Sequence, residues 1–115
     1  MIKRPANLYR AYHAHVYFDA STLERASLLC EQAGAQFGVK VGRVHQRPVG
    51  PHPSWSCQLA FSRDQFDDLI GWLETSRDGL TVFVHALTGN DLADHTEHAS
   101  WLGDEVALKL SIFDD

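Results

Sequence analysis

Histidine is the residue type best placed to do chemistry in this chain. Seven occur in 115 residues, and two of them sit two apart in Tyr12-His13-Ala14-His15-Val16-Tyr17-Phe18. That stretch alternates strictly. On a strand, residues two apart share a face, so His13, His15 and Tyr17 point one way while Tyr12, Ala14, Val16 and Phe18 point the other. One face offers two imidazoles and a phenol, and the opposite face suits a core. Imidazole ligates divalent iron, zinc, copper and nickel, and its ordinary titration near neutrality lets it carry protons. A lone His-x-His is also accounted for by solvated or hydrogen-bonded side chains on a half-exposed strand. Chemistry requires other histidines to converge on it.

The elements that would position them follow from patterning. Ser21 followed by Glu24 reads as a capping box. Leu23, Ala26, Cys30, Ala33 and Phe37 then recur at helical spacing, predicting a helix over 21–37 that Gly38 ends. Val39 to Val44 read as a second strand. Pro48, Gly50, Pro51 and Pro53 exclude regular structure and make 46–53 a stiff, ordered loop. Trp55, Cys57, Leu59 and Phe61 alternate in a third strand. Ser62 and Gln65 repeat the capping signature, and Phe66, Leu69, Ile70 and Leu73 predict a second helix over 63–76. On a fourth strand, residues 81–86, Val82, Val84 and Ala86 face one way and Phe83 and His85 the other. Asn90-Asp91 caps an expected short third helix carrying Leu92, His95, Ala99 and Leu102 on one side, with Gly103 ending it. The alternation of Val106, Leu108, Leu110 and Ile112 predicts a fifth strand, at a sheet edge or against another subunit.

A βαββαβ chain with right-handed crossovers folds as an antiparallel α+β sheet with both helices on one face. The first strand then lies between the third and fourth. His13, His15, Tyr17, Gln58, Phe83 and His85 share the helix-free face, which puts three imidazoles from two neighbouring strands together. The proline-rich loop, the last strand or a second subunit must cover that face. His52, held between Pro51 and Pro53, is a sensible additional ligand. His95 falls on the apolar side of the third helix and points inward. Asp94 and His98 fit a surface pair four residues apart, and His45 reads as structural. The pattern offers His15, His52 and His85 as metal ligands, with His13 as a substitute or supporting group. Spacing fixes no carboxylate beside them, so a strict two-histidine, one-carboxylate site is not established.

Composition bounds the rest. A chain of this length is expected to form one domain over residues 1–115. Its 44% hydrophobic and 22% charged content is that of an ordinary globular protein. No apolar run approaches the ~20 residues of a membrane helix, and no signal peptide follows Met1-Ile2-Lys3-Arg4-Pro5, which makes the cytoplasm the default location. A net charge of −5, with scattered Lys and Arg, argues against nucleic acid as the partner. Cys30 and Cys57 have no motif around them and read as small buried hydrophobes.

Taken together, Tyr12 to Phe18, Val49-Gly50-Pro51-His52-Pro53, Val84-His85-Ala86-Leu87-Thr88-Gly89, Asp94-His95-Thr96 and Trp101-Leu102-Gly103 resemble the DOPA 4,5-dioxygenase family over nearly the whole chain. His85-Ala86 stands where that family usually has His-Pro. The resemblance implies a ferredoxin-like subunit, homodimeric, that cleaves a catechol ring in extradiol fashion with non-haem Fe(II) and O₂, zinc being a substitute metal. Under that reading His13 or His95 moves protons during ring opening. Tyr17 and Trp55 stack on or hydrogen-bond the aromatic substrate. Arg43 or Arg47 pairs with a substrate carboxylate, unless both arginines are simply solvated. Two other readings stay open: a metal-dependent enzyme of different chemistry, such as zinc-assisted hydrolysis, and a non-catalytic dimeric protein that binds small molecules through hydrogen-bonding histidines.

Overall fold

The alternating stretch with the histidine pair forms the central strand of the sheet. In a computed structural model that describes residues 3–113, it is β1, Ala11–Phe18. There follow α1 (Leu23–Phe37), β2 (Lys40–His45), β3 (Trp55–Ser62), α2 (Arg63–Ser76), β4 (Val82–Ala86), the one-turn α3 (Asp91–Asp94), β5 (Ala99–Leu102) and a final 3₁₀ turn, Leu110–Phe113. The strands form one sheet in the order β2-β3-β1-β4-β5, every neighbouring pair antiparallel. This is the expected α+β, ferredoxin-like βαββαβ arrangement, extended at one edge.

The core lies between the sheet and its helices. Tyr12, Ala14, Val16 and Phe18 of β1 pack there with Cys57, Leu59 and Phe61 of β3 and Val82 and Val84 of β4. Ala26, Leu29, Cys30 and Ala33 of α1 and Phe66, Leu69 and Leu73 of α2 close the layer from above. Both cysteines are free and buried within it. The α2 start matches its signature: the Ser62 N–H donates to Gln65 Oε1 at 3.0 Å. The α1 start does not. Thr22 is its N-cap and makes no side-chain capping bond; the Asp19 carboxylate instead ties down the turn just ahead of the helix. Its Oδ1 accepts from the Ser21 N–H at 2.9 Å, the Thr22 N–H at 3.1 Å and the Ser21 hydroxyl at 2.7 Å. A carboxylate is a stronger acceptor than a hydroxyl, and Asp19, four residues ahead of the first helical residue Leu23, reaches those N–H groups as an Asx-turn. Gly38 ends α1 at φ 69°, a left-handed backbone that glycine adopts without strain.

The C-terminal quarter corrects the sequence reading. The third helix ends at Asp94, and residues expected on its far side, Ala99 and Leu102, belong to β5. There His85 faces Ala99, Phe83 faces Trp101 and Val82 faces Leu102. The open edge of β4 has backbone groups that must be paired when buried, and this tertiary demand overrides the weak helical pattern. The strand expected from Val106 to Ile112 does not form. Residues 104–109 instead run as an extended strap on the helix-free side, and their alternation survives in another role. Val106 and Leu108 pack onto a second small cluster of Tyr17, Phe83, Ala99 and Trp101, while the Lys109 N–H donates to the Pro51 carbonyl at 2.8 Å. The chain itself covers part of the face that the helices leave bare.

Candidate metal centre

Register brings the histidines together. On the helix-free face His13 stands opposite His85, and His15 lies between Phe83 of β4 and Gln58 of β3. Each of His13, His15 and His85 offers one ring nitrogen to a common point, these atoms all lying within 4.8 Å of one another. Nε2 of His15 and Nε2 of His85 are 3.1 Å apart. The stiff loop lays His52 over His15, ring centres 4.0 Å apart, and the turn after α3 lays His95 against His85 at 4.2 Å. Five imidazoles from two strands and two loops therefore meet. The sequence pattern put His52 among three ligands and held His13 in reserve. Among the described residues the convergent set is His13, His15 and His85, with the His52 ring tilted against that of His15.

Hydrogen bonds outside the cluster set which nitrogen of each ring is available. The His85 Nδ1–H donates to the Ala86 carbonyl at 2.9 Å, which leaves Nε2 with a lone pair facing inward. The His95 Nδ1–H donates to the Asp91 carbonyl at 2.7 Å, with the same result. His52 is arranged oppositely. The buried Tyr17 hydroxyl lies 2.7 Å from His52 Nδ1, its one hydrogen-bond partner among the described residues. Donation from Tyr17 is the direction that leaves no buried O–H unpaired. Nε2 of neutral His52 then carries the proton, so His52 presents a donor where His85 presents an acceptor.

Burial sets the charge. Desolvation, reinforced by the neighbouring imidazoles, holds His15 well below the ordinary histidine range. Desolvation pulls His85 down to about 3, against the opposing bond from its ring to Ala86. Burial likewise takes His52 to about 4 and lowers His13. Burial thus favours the neutral form of His13, His15, His52 and His85, and neutral imidazole is the form that binds a cation. The same burial pushes the Tyr17 phenol up, so it stays protonated and able to donate. The residues present therefore fit a divalent metal: three neutral imidazoles converge, and one has its tautomer fixed by the backbone.

The remaining candidates are placed unequally. Tyr17 lies on the histidine face, edge-on to Trp101 at 6.1 Å. Trp55 does not. It packs on the helix-side core, edge-on to Phe18 at 6.1 Å, because it alternates in phase with Cys57 and Leu59. Arg43 on β2 and Arg47 in the loop are exposed. His45 shares a cleft with His15, His52 and Gln58, nearer the cluster than a purely structural histidine need be. The expected surface pair of Asp94 and His98 is absent. Asp94 is buried, 1% exposed; its two oxygens accept from the Thr88 N–H at 2.8 Å and the Thr88 hydroxyl at 2.6 Å. His98 Nδ1 instead pairs with the Tyr9 hydroxyl at 2.8 Å.

Several neighbours of the site escaped the sequence pattern as functional residues. Phe83 and Trp101 pack at 4.7 Å between ring centres, forming an aromatic wall beside His95. Alternation already put Phe83 on this face, but Trp101 needed the β4–β5 pairing that the pattern did not reveal. Phe113 lies 4.7 Å from His95, and nothing local in the sequence signals that contact.

The chain is similar to known proteins over most of its length. The chain is 32% identical over 111 residues to DOPA 4,5-dioxygenase of Amanita muscaria, covering 89% of this chain and 49% of that protein. It is 30% identical to an uncharacterised 21.2 kDa protein of Botryotinia fuckeliana, covering 89% of this chain and 62% of the relative. It thus spans only about half to three-fifths of the length of these two relatives. The crystal structure of a candidate dioxygenase from Nostoc punctiforme superposes with a TM-score of 0.87 at 41% identity, covering 90% of both chains. The model of the Dopa 4,5-dioxygenase family matches residues 12–112. With all but the first residue of the βαββαβ unit and every member of the histidine cluster inside that match, the chain belongs to the Dopa 4,5-dioxygenase family.

Proposed function

We propose that this protein is a metal-dependent extradiol ring-cleaving dioxygenase that acts on DOPA or a related catechol with O₂. The observation that carries the reading is the meeting of three uncharged ring nitrogens, from His13, His15 and His85, within 4.8 Å. Family membership supports it. In this reading those three histidines hold Fe(II), with zinc able to replace it, and His13 acts as a ligand rather than as a proton carrier. When bound, iron supplies open positions for both catechol oxygens and for O₂.

The chain's own side chains do the rest. His52, fixed by Tyr17 with Nε2–H outward, donates a hydrogen bond toward the oxygen-bearing side of the substrate. His95, with Nδ1 committed to Asp91 and Nε2 free, accepts a catechol proton and returns it as the ring opens. Phe83 and the strap limit the entry of water. The reaction balances without an external reductant. Both atoms of O₂ enter the product, one ring carbon–carbon bond next to the diol breaks, and the product is a semialdehyde able to cyclise. Arg43 and Arg47, both exposed, are less suited to hold the substrate than the sequence pattern suggested, and Trp55 faces away. The protein is read as one domain acting in the cytoplasm as a homodimer. No helix among the described residues is long and apolar enough to cross a membrane.

The test is anaerobic reconstitution with Fe(II), then a catechol panel followed by oxygen uptake and visible absorbance. Uptake with the appearance of a coloured ring-opened product supports the reading. No uptake with any catechol contradicts it, and tight zinc retention without oxygen consumption points to hydrolytic chemistry instead.

A further inference from the structure

His52 reaches the cluster on a loop that the sheet does not hold in place. Pro48, Pro51 and Pro53 have no N–H to donate. Among the described residues, the one backbone bond inside that stretch runs from the His52 N–H to the Val49 carbonyl at 3.0 Å. Beneath the loop lies a cleft of about 190 Å³, with His15, His45, Ser56 and Gln58 on its far side. Close packing therefore does not fix the loop against β3 there.

Two hydrogen bonds tie this loop to the rest of the chain. The Tyr17 hydroxyl holds His52 Nδ1 at 2.7 Å, and the Lys109 N–H donates to the Pro51 carbonyl at 2.8 Å. Among the described residues, the second is the only backbone hydrogen bond between residues 48–53 and any other segment. Both bonds lead back to the strap. Val106 and Leu108 pack on the cluster that contains Tyr17, and Val106 borders the same surface cleft as Tyr17. The strap thus braces the phenol that orients the His52 ring and pins the residue next to that ring.

We infer that residues 104–109 are a clamp, and that the Lys109 N–H, bonded to the Pro51 carbonyl, is the positioning contact that seats His52 against His15. Lys109 touches no ring of the cluster and acts through Pro51. Three prolines stiffen the loop, so a restraint at residue 51 carries to residue 52 instead of dissipating along a flexible chain. The inference rests on the dioxygenase reading only for what a seated His52 does during turnover; the seating itself needs neither metal nor substrate. The contact can also be removed alone. The Lys109 side chain is exposed, and only its main-chain N–H takes part in the bond.

The experiment is histidine acylation by diethyl pyrocarbonate in the full chain as purified, mapped by peptide mass spectrometry. The reagent attacks the lone-pair nitrogen of a neutral imidazole. In His52 that nitrogen is Nδ1, covered by the Tyr17 hydroxyl, and the residue is 5% exposed, so labelling requires the loop to open. Lys109→Pro removes the N–H and Lys109→Ala keeps it. The expected result is His52 labelling about threefold to tenfold faster in Lys109→Pro, the shift in opening that one lost hydrogen bond gives. In Lys109→Ala it should stay within about twofold of the parent, as should His98, remote from the loop and paired with Tyr9, in every variant. Val106→Ala, which loosens the strap from the Tyr17 cluster, should move His52 in the same direction and decides the matter if Lys109→Pro does not fold. Unchanged His52 labelling in the variants that fold, an equal rise in Lys109→Ala, or a matching rise at His98 overturns the clamp. Oxygen uptake with a catechol on the same Fe(II)-loaded proteins separates the two claims. Lys109→Pro should lower kcat about threefold or more with metal content unchanged, and adding Tyr17→Phe should cost little further, since either change releases the same ring. Faster His52 labelling with no uptake in any sample leaves the clamp standing and removes the dioxygenase reading; uptake with unchanged labelling does the reverse.

Discussion

At the scale of single residues, the cluster is organised by which ring nitrogen each neighbour leaves free. Ala86 and Asp91 carbonyls occupy Nδ1 of His85 and His95, and the Tyr17 hydroxyl occupies Nδ1 of His52. Tyr17→Phe removes a buried hydrogen bond and should lower stability by about 1–3 kcal/mol, the usual result when a buried partner is left unpaired. It should leave metal content unchanged while lowering kcat, because His52 loses its fixed tautomer. Thermal melts, metal analysis and steady-state kinetics on one preparation check all three parts. If the variant loses metal, His52 belongs among the ligands.

The depressed histidines also give a pH dependence with a definite sign. His85 and His52 titrate at about 3 and about 4 in the folded protein, against roughly 6.5 in an unfolded chain. Below 6.5 the unfolded state binds more protons than the native state, so stability rises with pH there. Stability is therefore expected to be level above pH 7 and to fall as pH drops from about 6.5 toward 4. His85 keeps its lone pair in the folded protein until the pH nears 3, so added Fe(II) or Zn(II) should still raise Tm at pH 5, and the effect should fade only as the pH falls toward 3. A melting temperature that does not change between pH 7 and 5 in the metal-free protein contradicts the buried, uncharged cluster.

At the scale of elements, the turn between β4 and β5 is held by Asp94, whose two oxygens are both taken by Thr88. Asp94→Ala removes the acceptor of two Thr88 donors; because Thr88 is exposed, water can take its place, and each lost bond should cost about 0.5–1.5 kcal/mol. It should also reduce turnover through displacement of His95, with metal retained on β1 and β4. Asp94→Asn, which keeps acceptor capacity on one oxygen, should recover part of the stability. In the core, Leu73→Ala should destabilise by about 2–5 kcal/mol without changing the ligand set, a difference that equilibrium unfolding would show. The elements legible from sequence were those with a strong period of their own. β1, β3 and α2 were, because their core stripes are uninterrupted. The start of α3 was legible too, with Asn90 as its cap, but its end at Asp94 and the strand β5 were not, because four residues carry too little pattern to distinguish a turn of helix from an edge strand. Pairing with β4 decides that case, and it is a long-range fact.

At the scale of the whole molecule, the ferredoxin-like fold leaves one sheet face without helices, and this chain uses that face for its histidines. Much of the site could be read beforehand: the alternation of β1, the phase of His85 on β4 and the βαββαβ order are enough to bring His13, His15 and His85 to one face. The choice among five rings could not be read. It depends on the path of the proline-rich loop and on which carbonyls meet each Nδ1, neither of which is encoded by spacing. Trp55 shows the same limit from the other side, since its aromatic chemistry suggested a substrate contact that its phase on β3 denies. The strap over residues 104–109 makes the histidine face an internal site rather than a bare surface. Its removal by ending the chain after Gly103 should expose Trp101 and raise KM for the catechol. Far-UV circular dichroism should stay close to that of the intact protein, because the strap adds no strand to the sheet.

The central claim is that one divalent ion sits among His13, His15 and His85. Anaerobic calorimetric titration of Fe(II) into the metal-free protein and into His85→Ala tests it most directly. The account predicts one ion per chain in the parent protein and a loss of about tenfold or more in affinity in the variant, whose fold is confirmed by its melting transition. Equal stoichiometry and affinity in the two proteins would contradict it.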